Sequence, residues 1–337
     1  MGLPQILVTG APGWLGTALV HALAEGGRFG PVEQAPEPVR VLASPRADVG
    51  ALRALRDVDV QHADLRQPVP PSLCVGIDTV VHSAGLIHPH RVADFQTVNV
   101  EGTQRMLDAA SAAGVRRFIY ISSNSAAGVN RQPDVLMRED DPGETPYMGY
   151  GRSKAAAEQL VRAAAGKMEV VILRPCWFYG PHQPLRQTTF FKMIANGHPP
   201  MFGDGGNLRS MSYVDNTVQA ILLARHSAAA VGRTYWIADA RAYAWREILE
   251  TVARILNVRI TPRRLPAVTS DLCRVADGLI QRTGLYQQEL HVAGELGATI
   301  AVSIGRAQAE LGYAPEIALE EGMRRSITWC RAQGVQI

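Results

Sequence analysis

The first twenty-five residues constrain this chain more than any other stretch. Gln5-Ile-Leu-Val-Thr9 is an apolar run of strand length. It leads into Thr9-Gly-Ala-Pro-Gly-Trp-Leu-Gly16, after which Leu15, Leu19 and Leu23 recur at helical spacing until Gly26-Gly27 stops the pattern. A turn between strand and helix with glycines at 10, 13 and 16 has a physical reading. Gly10 permits a tight turn, Gly13 a close backbone approach to a pyrophosphate, and Gly16 tight packing of helix on strand. The free N–H groups of Trp14, Leu15 and Gly16, reinforced by the helix dipole, would hold the anion. In a chain with 31 glycines the triplet alone says little; its place between strand and helix carries the expectation of a dinucleotide site.

The rest of the first half repeats the alternation. Apolar strands are predicted at 39–43, 58–63, 78–82, 117–122 and 169–173, with helices at 48–55, 93–113 and 145–165 between them. The implied fold class is α/β, a doubly wound parallel sheet of the Rossmann type. After Arg174 prolines and glycines become dense. A helix to about Arg225, a strand at 234–237 and helices at 244–257, 268–282 and 318–332 follow. This predicts a smaller, partly discontinuous C-terminal lobe over the sheet's carboxyl edge. Residues 1–175 with 211–239 would form the dinucleotide-binding domain, and 176–210 with 240–337 the substrate-binding lobe. The stripe Val268, Leu272, Val275 and Leu279 is expected to be lobe core, with a substrate lid or surface anchor as the other reading.

Composition closes off several functions. The balance of 34 basic and 31 acidic residues is too even and dispersed for a nucleic-acid partner. Four distant cysteines without a C-x-x-C argue against zinc or disulfides and for reduced thiols in the cytoplasm. No basic leader opens the chain, and no apolar run reaches membrane-spanning length. His82, His88 and His90 lack ligand-spaced partners, so no metal is expected.

Only three lysines accompany nine tyrosines, yet Tyr150-Gly-Arg-Ser-Lys154 places one of each four residues apart. With Thr145 as helix cap and Pro146 at the first helical position, both fall on one helical face. An ammonium beside a phenol lowers the phenol's pKa from its usual value near 10, which suits proton transfer to or from a hydroxyl or carbonyl oxygen. The strand ending Ile121-Ser-Ser-Asn-Ser125 supplies a hydroxyl for the same oxygen. Ser123 is the choice; Ser122 and Ser125 stay open as competitors.

Taken together, these residues resemble the extended short-chain dehydrogenase/reductases, the NAD-dependent epimerase/dehydratase and 3β-hydroxysteroid dehydrogenase-like family. Ala63-Asp-Leu65, Val81-His-Ser-Ala-Gly85, Asn99-Val-Glu-Gly-Thr103, Leu173-Arg-Pro175, Tyr179-Gly-Pro181 and Tyr213-Val-Asp215 extend the likeness. The resemblance implies a catalytic set of Ser123, Tyr150 and Lys154. Tyr150 would be the acid/base, Lys154 would hold the nicotinamide ribose and tune the phenol, and Ser123 would polarise the substrate oxygen. It further implies that Asp64 and Leu65 flank the adenine, that Ser83, Ala84 and Gly85 line the cofactor, and that Asn99 orders the network. Pro175 and Cys176 would pass the nicotinamide.

The end of the second strand reads Ala43-Ser44-Pro-Arg46 with no acid for a ribose hydroxyl, so NADP is expected and NAD remains possible. Trp177, Phe178 and Tyr179 would form an apolar wall, and Trp177 stands where sugar-nucleotide enzymes usually carry asparagine. Substrate contacts are therefore expected from Ser123, Trp177, Tyr179 and Arg209. The expected reaction is hydride transfer at a secondary alcohol or ketone of a hydrophobic small molecule. The alternative is a nucleotide-sugar epimerase, to which Arg209 would contribute a diphosphate contact. A cofactor-binding regulator without turnover is a third class, which the intact Ser123, Tyr150 and Lys154 oppose. A homodimer is expected by analogy with the family.

Overall fold

A computed structural model describes residues 2–141 and 145–337; the side chain of Arg186 is not described. Seven strands form the central sheet: β1 (Ile6–Thr9), β2 (Val39–Ala43), β3 (Val58–His62), β4 (Thr79–His82), β5 (Arg117–Ile121), β6 (Glu169–Pro175) and β7 (Thr234–Ile237). Their spatial order is β7-β6-β5-β4-β1-β2-β3, and every neighbouring pair is parallel. The order reverses between β1 and β4, so a crevice opens outside their carboxyl ends, where open α/β sheets bind ligands.

Helices cover both faces. α1 (Trp14–Glu25) and α4 (Val214–His226) bury Leu19, Leu23, Val218 and Ile221 on one side. α2 (Glu101–Ala112) and α3 (Met148–Ala163) bury Met106, Leu107, Ala157 and Val161 on the other. This double cover explains why the strands read as unbroken apolar runs. A third core belongs to the lobe, around Phe191, Ile194, Trp245, Ile248, Leu249, Met323 and Ile327. The lobe's main helices are α5 (Trp245–Leu256), α6 (Val268–Arg282), α7 (Gln288–Leu296) and α8 (Leu319–Ala332). Val302, Ile304, Ala307, Leu311 and Tyr313 then return to the sheet's first core.

Three elements depart from the sequence reading. Residues 28–38, whose three prolines and one glycine read as a loop, meet a small antiparallel hairpin of Gly27–Phe29 and Val32–Gln34. The long helix expected at 93–113 is divided into a π-helical turn, Phe95–Val100, and α2. α3 begins at Met148 instead of Pro146, because the backbone N–H groups of Thr145 and Tyr147 donate to Ala127 and Ser125 carbonyls, 3.0 and 2.8 Å away. That pairing holds 145–147 extended, and Tyr147, not Thr145, occupies the cap position.

The stripe of α6 is also corrected. Val268, Leu272, Val275 and Leu279 are 55–63% exposed, whereas Ser270, Asp277 and Gln281 are buried. The inward polar face is satisfied by hydrogen bonds. Gln281 Nε2 donates to both Asp277 carboxylate oxygens at 2.9 Å, and the His291 ring on α7 bonds the same carboxylate at 2.8 Å. Gln281 Oε1 accepts the N–H of Gly149, at the start of α3, at 2.9 Å. Periodicity shows that a helix has two faces; it does not show which one faces inward when the polar face finds partners.

Candidate active site

The glycine turn is built as its spacing requires. Gly10 has φ +83°, and a Cβ there would lie 2.6 Å from the Ala84 nitrogen. A Cβ on Gly16 would lie 2.7 Å from the Ala11 nitrogen. Gly13 caps α1 without a side-chain bond, and no acidic residue stands in the first turn. The helix start therefore presents backbone donors without a competing carboxylate, which fits a dinucleotide's phosphates.

A buried chain of polar groups joins this turn to the next crossover. The Ala84 N–H donates to Thr9 Oγ1 at 3.2 Å, and Thr9 Oγ1 lies 2.8 Å from His82 Nδ1. His82 Nε2 lies 3.2 Å from Thr103 Oγ1, which donates to the Asn99 carbonyl at 2.6 Å. Burial pushes His82 down to about 3, with the Lys154 charge adding to the effect, so the ring is neutral. The Thr103 proton is committed to Asn99, so His82 Nε2 carries the ring's hydrogen and Nδ1 accepts from Thr9. His82 is thus a structural relay; among the described residues no group of His, Cys, Asp and Glu is arranged to hold a metal. Ser83 Oγ donates to the Thr9 carbonyl at 2.8 Å and secures the strip from Ser83 to Gly85.

Asn99 projects from the π-helical turn and is 1% exposed. Its Nδ2 donates to the Leu86 carbonyl and to Ser153 Oγ, both at 3.0 Å, and its Oδ1 accepts the Leu86 N–H at 2.7 Å. One side chain so ties the strip after β4 to the helix bearing Tyr150 and Lys154. π-turns of this kind often re-aim a functional residue.

Lys154 is 4% exposed, and its ammonium donates to the Ile121 carbonyl at 2.8 Å. It reaches the strip after β4: a Cβ on Gly85 would stand 3.5 Å from Nζ. Burial pushes its pKa down to about 8, against a smaller opposing effect from Glu158. Tyr150 is half-buried one turn earlier, its ring 5.8 Å from that of Phe95. The segment after β5 packs against the start of α3, where a Cβ on Gly151 would come within 2.2 Å of the Ser125 carbonyl.

The three candidate serines separate clearly. Ser122 is buried and donates to Glu158 Oε1 at 2.6 Å, so its hydroxyl is structural. Ser125 is 7% exposed. Ser123 is half-exposed; it accepts the Ser125 N–H at 3.2 Å and lies 3.4 Å from the Ser125 hydroxyl. Of the three, Ser123 is the hydroxyl both accessible and held at the sheet edge.

At the carboxyl end of β2, Ser44 and Arg46 are exposed. The nearest acid, Asp48, bonds the Gly50 N–H at 3.0 Å. Asp64 and Leu65 follow β3, with the Asp64 carboxylate accepting the Arg66 N–H at 2.9 Å. Pro175 ends β6, and the Cys176 N–H donates to Ser212 Oγ at 2.8 Å while burial pushes its thiol far up.

The lobe side is aromatic. Trp177 stacks on Trp245 at 5.7 Å and packs against Phe190 at the same distance. Tyr179 corrects the sequence expectation of a substrate contact: it is 3% exposed, and its hydroxyl donates to Asp239 at 2.5 Å. Arg209 is 3% exposed; its guanidinium donates to the Glu295 carbonyl and lies 3.9 Å from the Glu295 carboxylate. Its Nε has no hydrogen-bond partner among the described residues. Glu295, Thr9, Thr103 and Ser153 escaped the sequence reading, because each acts through a partner supplied by the fold.

The description "NAD dependent epimerase/dehydratase family" matches residues 6–238, so the chain belongs to this family, the extended short-chain dehydrogenase/reductases. It is 42% identical to the uncharacterized protein y4nL of Sinorhizobium fredii, over 99% of this chain and 97% of that protein. It is 28% identical to a 2-alkyl-3-oxoalkanoate reductase of Stenotrophomonas maltophilia, covering 95% and 98%. Among solved structures, MoeE5 in complex with UDP-glucuronic acid and NAD superposes with TM-score 0.74 at 25% identity, covering 98% and 99%. The fold and family mark an enzyme.

Proposed function

We propose that this enzyme is an NADP-dependent oxidoreductase interconverting a secondary alcohol and a ketone on a largely apolar small molecule. Residues 1–175 with 211–239 carry the cofactor, and the remaining segments, apart from 302–313 on the sheet, shape the substrate side. When bound, the nicotinamide supplies or accepts the hydride at the reacting carbon. In reduction Tyr150 gives its hydroxyl proton to the carbonyl oxygen, and it takes the proton back in oxidation. Ser123 donates a hydrogen bond to the same oxygen. Lys154, held in the strip beside Gly85, keeps positive charge near the phenol and the ribose.

The observation that carries the substrate class is the aromatic wall at Trp177, stacked on Trp245 beyond the end of β6. Arg209 is drawn onto Glu295 behind it. An apolar wall with few polar anchors suits a hydrophobic ligand. NADP is supported by Arg46 beside the end of β2 and by Asp48, whose carboxylate caps its own turn. Arg46→Ala should weaken NADPH binding about tenfold and leave NADH binding unchanged; unchanged NADPH binding would contradict the assignment.

The partnerless Nε of Arg209 favours a second reading, an epimerase acting on a nucleotide sugar. A substrate panel separates the two. Net NADPH oxidation with branched or cyclic ketones supports the reductase. Isomerisation of UDP-, dTDP- or GDP-sugars without net oxidation would replace it.

A further inference from the structure

α6 turns its apolar side outward. Val268, Leu272, Val275 and Leu279 are spaced 4, 3 and 4 residues apart, and Leu285 just beyond is also 58% exposed. The helix is held firmly, since the opposite face is fastened by Asp277, Gln281 and His291 to α3 and α7. Five of the twelve large exposed apolar side chains of the described residues thus lie between 268 and 285, which makes this a patch and not scattered exposure.

The charges that flank the helix in sequence bear on what can cover it. Arg259, Arg263 and Arg264 precede the helix and Arg282 ends it; all four are exposed and have no carboxylate partner among the described residues. Within the helix Arg274 stands against Asp271, 3.7 Å away. Two copies joined by this face about a twofold axis would confront arginines with arginines. An anionic lipid surface answers both features: the acyl boundary accepts the apolar stripe, and the headgroups accept the arginines.

We propose that α6 is a peripheral docking helix that seats the enzyme on an anionic membrane surface. The helix lies in the plane of the headgroups and does not cross the bilayer; among the described residues no helix is long and apolar enough to do so. Docking holds the start of α3 close to the lipid, because Gly149 is bonded to Gln281 on the inner face. The inference does not depend on the reaction proposed above.

The test is flotation of the full chain with vesicles of phosphatidylglycerol and phosphatidylcholine, compared with phosphatidylcholine alone, at physiological salt. The wild type should float with the anionic vesicles and at least tenfold less with the zwitterionic ones. Leu272→Ser with Leu279→Ser should lower anionic binding at least tenfold, and Arg263→Gln with Arg264→Gln severalfold. Thermal melts verify that the variants are folded, and turnover without vesicles should stay at the wild-type level. Binding to neither vesicle, or equal binding by the serine variant, would overturn the proposal. So would a dimer in light scattering that the serine variant dissociates, which would assign the face to a second copy. Failed turnover with intact flotation would count against the proposed reaction alone.

Discussion

Arg174 and Arg209 are almost equally removed from water, at 1% and 3% exposure, but one lies in the sheet and the other in the lobe. Arg174 meets the Glu158 carboxylate with Nε at 2.8 Å and Nη2 at 2.7 Å, and it lies over the Trp236 ring. The same carboxylate accepts from Ser122 and Arg162. Burial pushes Glu158 up, but these donors outweigh it and hold its pKa below the ordinary value. Arg209 has a carbonyl, a distant carboxylate and one unanswered N–H. A buried charge with a complete set of partners fastens the fold; one left short is available to a ligand.

The largest effect should come from breaking the complete site. Glu158→Gln leaves Arg174 uncompensated and should lower stability by about 3–5 kcal/mol in urea unfolding. A loss below 1 kcal/mol would erase the contrast. The sign with pH follows from the lowered pKa: the carboxylate's contribution is present above its unfolded value and fades as pH falls below it.

Lys154 comes next, and there burial outweighs the carboxylate partner. Burial depresses its pKa to about 8, so the ammonium one helical turn from Tyr150 is lost as pH rises through that value. Turnover should then fall about tenfold per pH unit above it. A flat profile up to pH 10 would show that the charge plays no part. Between about 8 and the ordinary lysine value, the unfolded chain binds the extra proton, so this group makes the fold more stable as pH rises.

Tyr179→Phe removes a donor from buried Asp239 and should cost about 1–2 kcal/mol of stability with turnover little changed. A large rise in KM would return Tyr179 to the substrate side. Smallest of all, Arg209→Met should alter stability by less than about 1 kcal/mol, because a poorly paired buried charge contributes little. On the proposed reductase it should change kcat/KM less than threefold; a loss beyond a hundredfold with a nucleotide sugar would favour the epimerase.

This contrast also marks how far the sequence could be read. The glycine turn at Gly10 and Gly16 and the placing of Tyr150 and Lys154 in one helix were legible because their demands are local: a turn, a close approach, one helical turn of spacing. The parallel order followed from alternating apolar strands. That Ser122 is taken up by a structural bond was not legible, since it depends on Glu158 lying opposite across 36 residues. A place for His82 in the polar chain could not be read until the register set it beside Thr9. The face of α6 failed for the same reason, as Gly149 and His291 satisfy its polar side from outside the helix.

Tyr150→Phe gives the most direct measurement of the whole account. NADPH binding followed by fluorescence should stay within threefold of wild type, while turnover of the best ketone should fall by about a thousandfold. Turnover within tenfold of wild type, with binding intact, would remove the phenol from the chemistry and contradict the account.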